Sequence, residues 1–207
     1  MRNDDRDLFE IERNLIKKGF AAVAGVDEAG RGPLAGPVFA AAVILNSDDI
    51  PKGIDDSKKL SEKKREALFD EIREKAAAFA ICSVSAERID EINILNATME
   101  CMREAVKGLG VKCDYVIVDG NKCPEVDVPC EAVVKGDAKS ASIGAASILA
   151  KVARDRYMTE LSEKYPGYGF EKHKGYGTKS HYAALENLGM CEEHRRTFLK
   201  KFLGEKR

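Results

Sequence analysis

Four carboxylates stand where apolar segments of the chain run out. Asp27 and Glu28 close FAAVAGVDEAG, Asp119 closes DYVIVD, and Asp137 follows CEAVVKG. In α/β proteins, functional groups collect at such strand ends. Four acids brought together there repel one another unless cations lie between them. Carboxylate oxygens are hard ligands that suit Mg²⁺ or Mn²⁺. Two such ions about 4 Å apart serve in-line displacement at phosphorus: one activates water, the other stabilises the leaving oxygen.

Taken singly, each acid has a plainer use. Asp119-Gly120 is an ordinary turn pair, Gly136-Asp137 suits a helix start, and Asp27-Glu28 suits a solvated strand end. The combination matters only if the strands are neighbours. Consecutive residues of a regular strand also face opposite ways. Asp27 and Glu28 can therefore share a site only if the strand ends or distorts at Ala29-Gly30.

Gly30-Arg31-Gly32-Pro33-Leu34-Ala35 matches a dinucleotide fingerprint in letters. That motif needs a helix starting inside it to receive the pyrophosphate. Here Pro33 and Pro37 interrupt, an apolar strand-like run follows, and two acids precede, so the dinucleotide reading fails. The glycines instead let backbone approach a ligand closely, and Arg31 offers a fork of donors for phosphate or carboxylate.

The elements that must position these groups alternate in type. Residues 4–18 have helical spacing. Strand-like runs follow at 20–28 and 38–45, then an acidic loop and an amphipathic helix at 61–77 with Ser61 as N-cap. A strand at 78–85 precedes a helix at 92–110, which glycine stops. Strands at 114–121 and 130–137 lead into a long Ala-rich helix from Ser140 to Tyr165. A Gly-, Tyr- and Lys-rich stretch and two short helical segments close the chain. The class is α/β. Hairpin-like joins among the first three strands point to a mixed sheet, because short links cannot connect parallel neighbours.

Composition narrows the function classes. The 34 Lys and Arg against 35 Asp and Glu give a net charge of −1, which excludes a uniformly basic nucleic-acid coat but leaves room for a local basic groove. Six cysteines form no C-x-x-C pair, which argues against a zinc ribbon or thioredoxin site. No apolar signal segment or membrane-length run is present, so a cytoplasmic chain with reduced thiols is expected, off the membrane and monomeric.

In order along the chain, GVDEAGRGPLAGPV, DDSKKLSEKKRE, VDGN, KGDAKSASIGAASILAKVARDR and HKGYGTKSHYAAL closely resemble ribonuclease HII, the type 2 ribonuclease H of bacteria. The resemblance runs from about Gly25 to Phe198. It implies a ribonuclease H-like fold: a mixed central sheet flanked by helices in residues 1–165, with a C-terminal helical, substrate-contacting segment, 166–207, in the same compact unit. It also implies cutting of the RNA strand of RNA–DNA hybrids. A second implied activity is nicking of duplex DNA on the 5′ side of an embedded ribonucleotide, leaving 3′-hydroxyl and 5′-phosphate ends, with Mg²⁺ or Mn²⁺ as cofactor.

The family's acidic quartet falls on Asp27, Glu28, Asp119 and Asp137. Its Gly-Arg-Gly element is Gly30-Arg31-Gly32, whose backbone reads the 2′-hydroxyl, and its tyrosine is Tyr176, which stacks on the following sugar. Discriminating sugars that differ by one hydroxyl does require close backbone groups and a shape-sensing ring. Lys58, in Asp56-Ser57-Lys58-Lys59, is a candidate phosphate contact, with Lys59 a weaker one. Lys139 and Ser140 could hold a phosphate at a helix N-terminus, although Ser140 serves equally as a cap.

Arg154 and Asp155 match a family pair, but neighbours in a helix cannot face each other, so each is expected to have its own partner. His173, His181 and His194 lack metal-ligand spacing, and a packed position or substrate surface is expected rather than catalysis. The stretch Gly189 to Phe198 departs from the family by lacking a Gly-Pro before its His-Arg-Arg run. Two rival readings use the same fold: a non-catalytic nucleic-acid binder, and a nuclease or resolvase acting on pure DNA.

Overall fold

The computed structural model describes residues 7–54, 57 and 60–204. Five strands form one sheet: β1 (Val23–Ala29), β2 (Val38–Ile44), β3 (Ala78–Val84), β4 (Tyr115–Asp119) and β5 (Cys130–Val133), in the order β3-β2-β1-β4-β5. β1 runs antiparallel to β2 and parallel to β4; β2–β3 is antiparallel and β4–β5 parallel. The sheet is mixed, as expected. The join between β2 and β3 is not a hairpin, however, since it carries helix α2 (Glu62–Lys75).

Helices cover both faces, which is why all seven residues of β2 are buried and read as a continuous apolar run. On one face, Ala24, Val26, Ala40, Ala42, Val116 and Val118 pack on helix α3 (Ala86–Lys107) through Ile89, Cys101 and Met102. On the other, Ala41 and Val43 meet α2 and helix α4 (Ala141–Lys164) through Phe69, Ile72, Ala145 and Leu149. Helix α1 (Glu10–Lys17) lies near the start of α4, and helices α5 (Phe170–His173) and α6 (Lys179–Leu188) follow α4.

Several boundaries differ from the sequence reading, α1 among them, which begins at Glu10. α3 begins at Ala86, capped by the Ser85 hydroxyl, and is interrupted at Asn93. β5 ends at Val133 because Lys135 turns into the left-handed region (φ 57°), and Asp137 sits on the short 3₁₀ turn Gly136–Ala138 instead of a strand end.

Candidate active site

The site starts from where α4 touches the sheet. A Cβ at Gly25 would lie 2.2 Å from the Ser142 carbonyl carbon, so only glycine lets the first turn of α4 rest on β1. Two residues further on, the same face of β1 presents Asp27 to α4, where Ser147 hydrogen-bonds its carboxyl. Val26 pairs with Val118 across β1 and β4, so the next step of the register sets Asp27 beside Asp119. The backbone N–H of Gly136 donates to Asp119 Oδ1 at 2.6 Å, which holds the 3₁₀ turn that carries Asp137 against the end of β4.

Asp27 and Asp137 are both buried. Burial, then the charge of Glu28 and more weakly that of Asp119, hold the Asp27 carboxyl well above the usual carboxylate range. The Ser147 hydrogen bond and the Glu28 N–H, which donates to Asp27 Oδ1 at 2.7 Å, oppose that shift without cancelling it.

The strand does not distort at Ala29. Asp27 and Glu28 remain paired to Ala41 and Ala40 and leave opposite faces of the ladder. Among the described residues, accordingly, no three Asp, Glu, His or Cys side chains converge closely enough to grip one ion. What the strands bring together is the buried Asp27 carboxyl with the charges of Glu28 and, more weakly, Asp119 set against it. An all-oxygen donor set with an acid forced toward its neutral form fits a hard divalent cation, which would relieve the repulsion.

Glu28 faces an open cleft of about 590 Å³. Gly30, Arg31 and Gly32 form one wall, and Tyr176 stands beside them, 46% exposed. A Cβ on Gly32 would come within 3.7 Å of the Tyr176 ring. Arg31 Nη1 lies 3.4 Å from Glu28 Oε1 and is otherwise open to solvent. Ser147, Lys151 and Arg154 supply the far wall from one face of α4. Sequence reasoning read this helix only as a long Ala-rich one and missed Lys151, whose only signal is a polar stripe at i, i+4, i+7. Arg154 and Asp155 do have separate partners: Asp155 pairs with Lys151 at 2.6 Å, and Arg154 binds backbone carbonyls.

Lys58, with Asp56 and Lys59, lies outside the described residues. Between them Ser57 is buried, its hydroxyl 2.9 Å from that of Ser147, which ties this loop to the Asp27 site.

The structure corrects the phosphate reading of Ser140. Its side chain is fully buried, accepts from the Ile143 N–H and donates to Glu12 Oε1 at 2.6 Å. Glu12 Oε1 also accepts from the Ser142 N–H at 2.8 Å. A carboxylate from α1 thus occupies the anion position at the N-terminus of α4, and Ser140 is the cap. Lys139 is exposed beside it and donates to the Val134 carbonyl at 2.7 Å.

The histidines are packed against one another. His181 Nε2 lies 3.0 Å from His194 Nε2, His194 Nδ1 lies 3.2 Å from Cys191 Sγ, and His181 Nδ1 lies 3.0 Å from the Tyr176 carbonyl. His173 stacks on His181. Burial, with the His181 charge adding to it, pushes the His194 imidazole down to about 4, below an unfolded value near 6.5. The fold therefore favours neutral His194. That contribution is complete above pH 6.5 and drains away as pH falls toward 4, on the order of 2–3 kcal/mol in all. Between pH 7 and pH 5 the melting temperature of the parent is expected to fall by several degrees relative to that of His194→Asn, a difference from which the opposing contribution of Asp27 cancels. Equal slopes for the two proteins would contradict the assignment.

Comparisons with known proteins agree on one lineage. A family model described as Ribonuclease HII matches residues 24–202. The ribonuclease HII of Caldicellulosiruptor bescii is 54% identical over 201 residues, 97% of this chain and 98% of that protein. That of Dechloromonas aromatica is 59% identical over 176 residues, 85% and 90% of the two chains. The crystal structure of ribonuclease H2 from Pyrococcus horikoshii OT3 superposes with a TM-score of 0.72 at 30% identity, covering 86% of this chain and 95% of that one.

Proposed function

The chain belongs to the ribonuclease HII family and is thereby a metal-dependent ribonuclease; within that activity we propose that it cuts the RNA strand of RNA–DNA hybrids and nicks duplex DNA on the 5′ side of an embedded ribonucleotide. The observation that carries this reading is the placement of the Asp27–Asp119 pair next to a cleft walled by tight backbone and an exposed ring. One part suits the chemistry and the other suits recognition of the sugar.

Of the quartet, Asp27 and Asp119 would share a Mg²⁺ or Mn²⁺, and Glu28 and Asp137 would join them only by turning their side chains toward the ion. When bound, two such ions lower the pKa of the attacking water and stabilise the leaving oxygen. The protein's own groups do the rest. Asp27 is kept from rotating by Ser147 and by the Glu28 N–H, and Asp119 by the Gly136 N–H. Water adds to phosphorus as hydroxide, the bond to the 3′-oxygen breaks, and that oxygen takes up a proton. The products are a 3′-hydroxyl and a 5′-phosphate.

Gly30-Arg31-Gly32 reads the 2′-hydroxyl through its backbone, and Tyr176 packs on the next sugar, where a second hydroxyl or a changed pucker alters the fit. Lys151 and Arg31, which line the cleft, and the exposed Lys139 are assigned to phosphates, which would position the duplex without reading its sequence.

The test is divalent-metal-dependent cutting of a duplex holding one ribonucleotide, mapped to the bond, beside an all-deoxy duplex. A single cut on the 5′ side of the ribonucleotide is expected. Tyr176→Ala should lower the preference for that bond by about tenfold, the worth of one stacking contact. Equal cutting of the all-deoxy duplex would instead make this a DNA nuclease, and binding without turnover would make it a carrier of the fold alone.

A further inference from the structure

The segment from Gly30 to Pro37 crosses from β1 to β2 with almost no regular structure, yet it forms the wall of the cleft. Two guanidiniums hold it from inside. Arg195 donates to the carbonyls of Gly30 (2.7 Å), Arg31 (3.1 Å), Pro33 (2.9 Å) and Gly36 (2.7 and 2.9 Å). Arg154 donates to those of Ala35 (3.2 Å) and Pro37 (3.2 Å), and to Lys174 (3.0 Å) in the loop that carries Tyr176. Both side chains are fully buried. Among the described residues neither forms an ion pair, and every hydrogen bond they make goes to a backbone carbonyl. Burial, with the Arg154 charge adding to it, pushes Arg195 down to about 9, so it stays charged at neutral pH.

Two buried cations without carboxylates are costly to fold around, and replacing such groups with apolar ones often stabilises a protein. Their hydrogen bonds, all to the cleft-wall segment and the Tyr176 loop, point to a use beyond packing. A trans peptide places its C=O and the next N–H on opposite sides. Turning the carbonyls of Gly30 and Arg31 inward, onto Arg195, therefore turns the N–H groups of Arg31 and Gly32 the other way. Gly30 has φ +98°, and a Cβ there would meet Arg154 Nε at 2.1 Å, so this glycine is required by the arginine behind it. The Tyr176 loop is clipped to the same segment: the Leu34 N–H donates to the Gly175 carbonyl at 2.8 Å.

We propose that Arg154 and Arg195 are positioning residues for substrate specificity: they preform the Gly30–Gly32 backbone and lock Tyr176 against it before nucleic acid arrives. The proposal rests on the reading of that loop as the sugar-sensing element. A guanidinium fork is needed because one ammonium is a point charge that cannot span carbonyls set so far apart. Both guanidiniums are engaged by backbone carbonyls and neither hydrogen-bonds an acid of the site, so the chemistry itself is not assigned to them.

Arg154→Lys and Arg195→Lys keep the charge and remove the fork. For each variant, thermal melting, the Mn²⁺ concentration for half-maximal activity, and kcat and KM on a duplex with one ribonucleotide are measured, with Arg31→Ala and Tyr176→Ala alongside. The lysine variants are expected to melt cooperatively, to need Mn²⁺ within about threefold of the parent, to raise KM about tenfold or more, and to scatter the cut over neighbouring bonds. If Arg31→Ala and Tyr176→Ala raise KM but the lysine variants do not, the loop reads the sugar and the arginines do not preform it, which overturns the proposal. If none of the four moves KM or the cut position, the reading of the loop itself falls. If both lysine variants lose cooperative melting, or Mn²⁺ requirement rises in step with KM, the arginines hold the fold as a whole and the assignment to specificity is wrong.

Discussion

Asp27→Asn is expected to melt at a higher temperature than the parent protein in buffer free of divalent ions, and to cleave on the order of 10³-fold more slowly when metal is supplied. Burial and the charges of Glu28 and Asp119 raise the Asp27 pKa in the fold above its unfolded value. Its stabilising contribution is therefore whole at acid pH and is lost as pH climbs through the raised value. At neutral pH the metal-free protein carries the repulsion. Asparagine is a neutral isostere that removes it. The variant also removes an oxygen ligand charge, so Mg²⁺ should raise the melting temperature of the parent and leave that of the variant nearly unchanged. Paired melts with and without Mg²⁺, followed by cleavage of a hybrid, check both halves. A variant less stable than the parent without metal, or one that still cleaves at close to the parent's rate, would contradict the account of Asp27.

The second large effect belongs to Gly25→Ala. The added methyl would meet the backbone of α4 at 2.2 Å (Ser142 carbonyl carbon) and 2.4 Å (Ile143 nitrogen). Backbone cannot rotate away as a flexible side chain can, and this turn is further fixed by Glu12 and the Ser140 cap. Overpacking of this kind costs about 3 kcal/mol or more, roughly a 10 °C fall in melting temperature for a chain of this size. Lifting α4 off β1 also separates Ser147 from Asp27, so activity should fall by more than the loss of folded protein explains. Gly32→Ala is the control. Its nearest neighbour would be Tyr176 at 3.7 Å, an ordinary contact, and its melting temperature should stay with the parent's.

How much of this was legible in the sequence depends on how far apart the interacting residues lie. The acids of β1 and β4 could be found because an apolar strand that stops at a carboxylate announces itself within a few residues. Ser61 and Ser140 were legible as caps for the same local reason, and both hydroxyls accept from the N–H three residues on. α3 was read from residue 92 because the reading caught the second of two merged segments: Asn93 breaks the helix (φ 65°) and its Oδ1 then accepts from the Leu95 and Asn96 N–H groups, as a fresh cap does.

Distance hid the rest. Glu12 reaches Ser140 across 128 positions, and Arg195 reaches Gly30 across 165. Nothing in the local pattern of either segment marks those pairings. Arg195 falls in the stretch that departs from the family's pattern, yet it proves to be among the most engaged side chains in the protein. The strand alternation did signal that Asp27 and Glu28 would diverge unless β1 distorted, and β1 stays regular.

Everything in the mechanism rests on Asp27 and Asp119 serving one cation. Anomalous scattering from a crystal of the protein soaked in Mn²⁺ tests this directly. The account predicts a Mn²⁺ peak within coordination reach of carboxylate oxygens from both residues, lost in Asp27→Asn. A peak bound by only one of them, or Mn²⁺ found only elsewhere on the protein while hybrid is still cleaved, would contradict it.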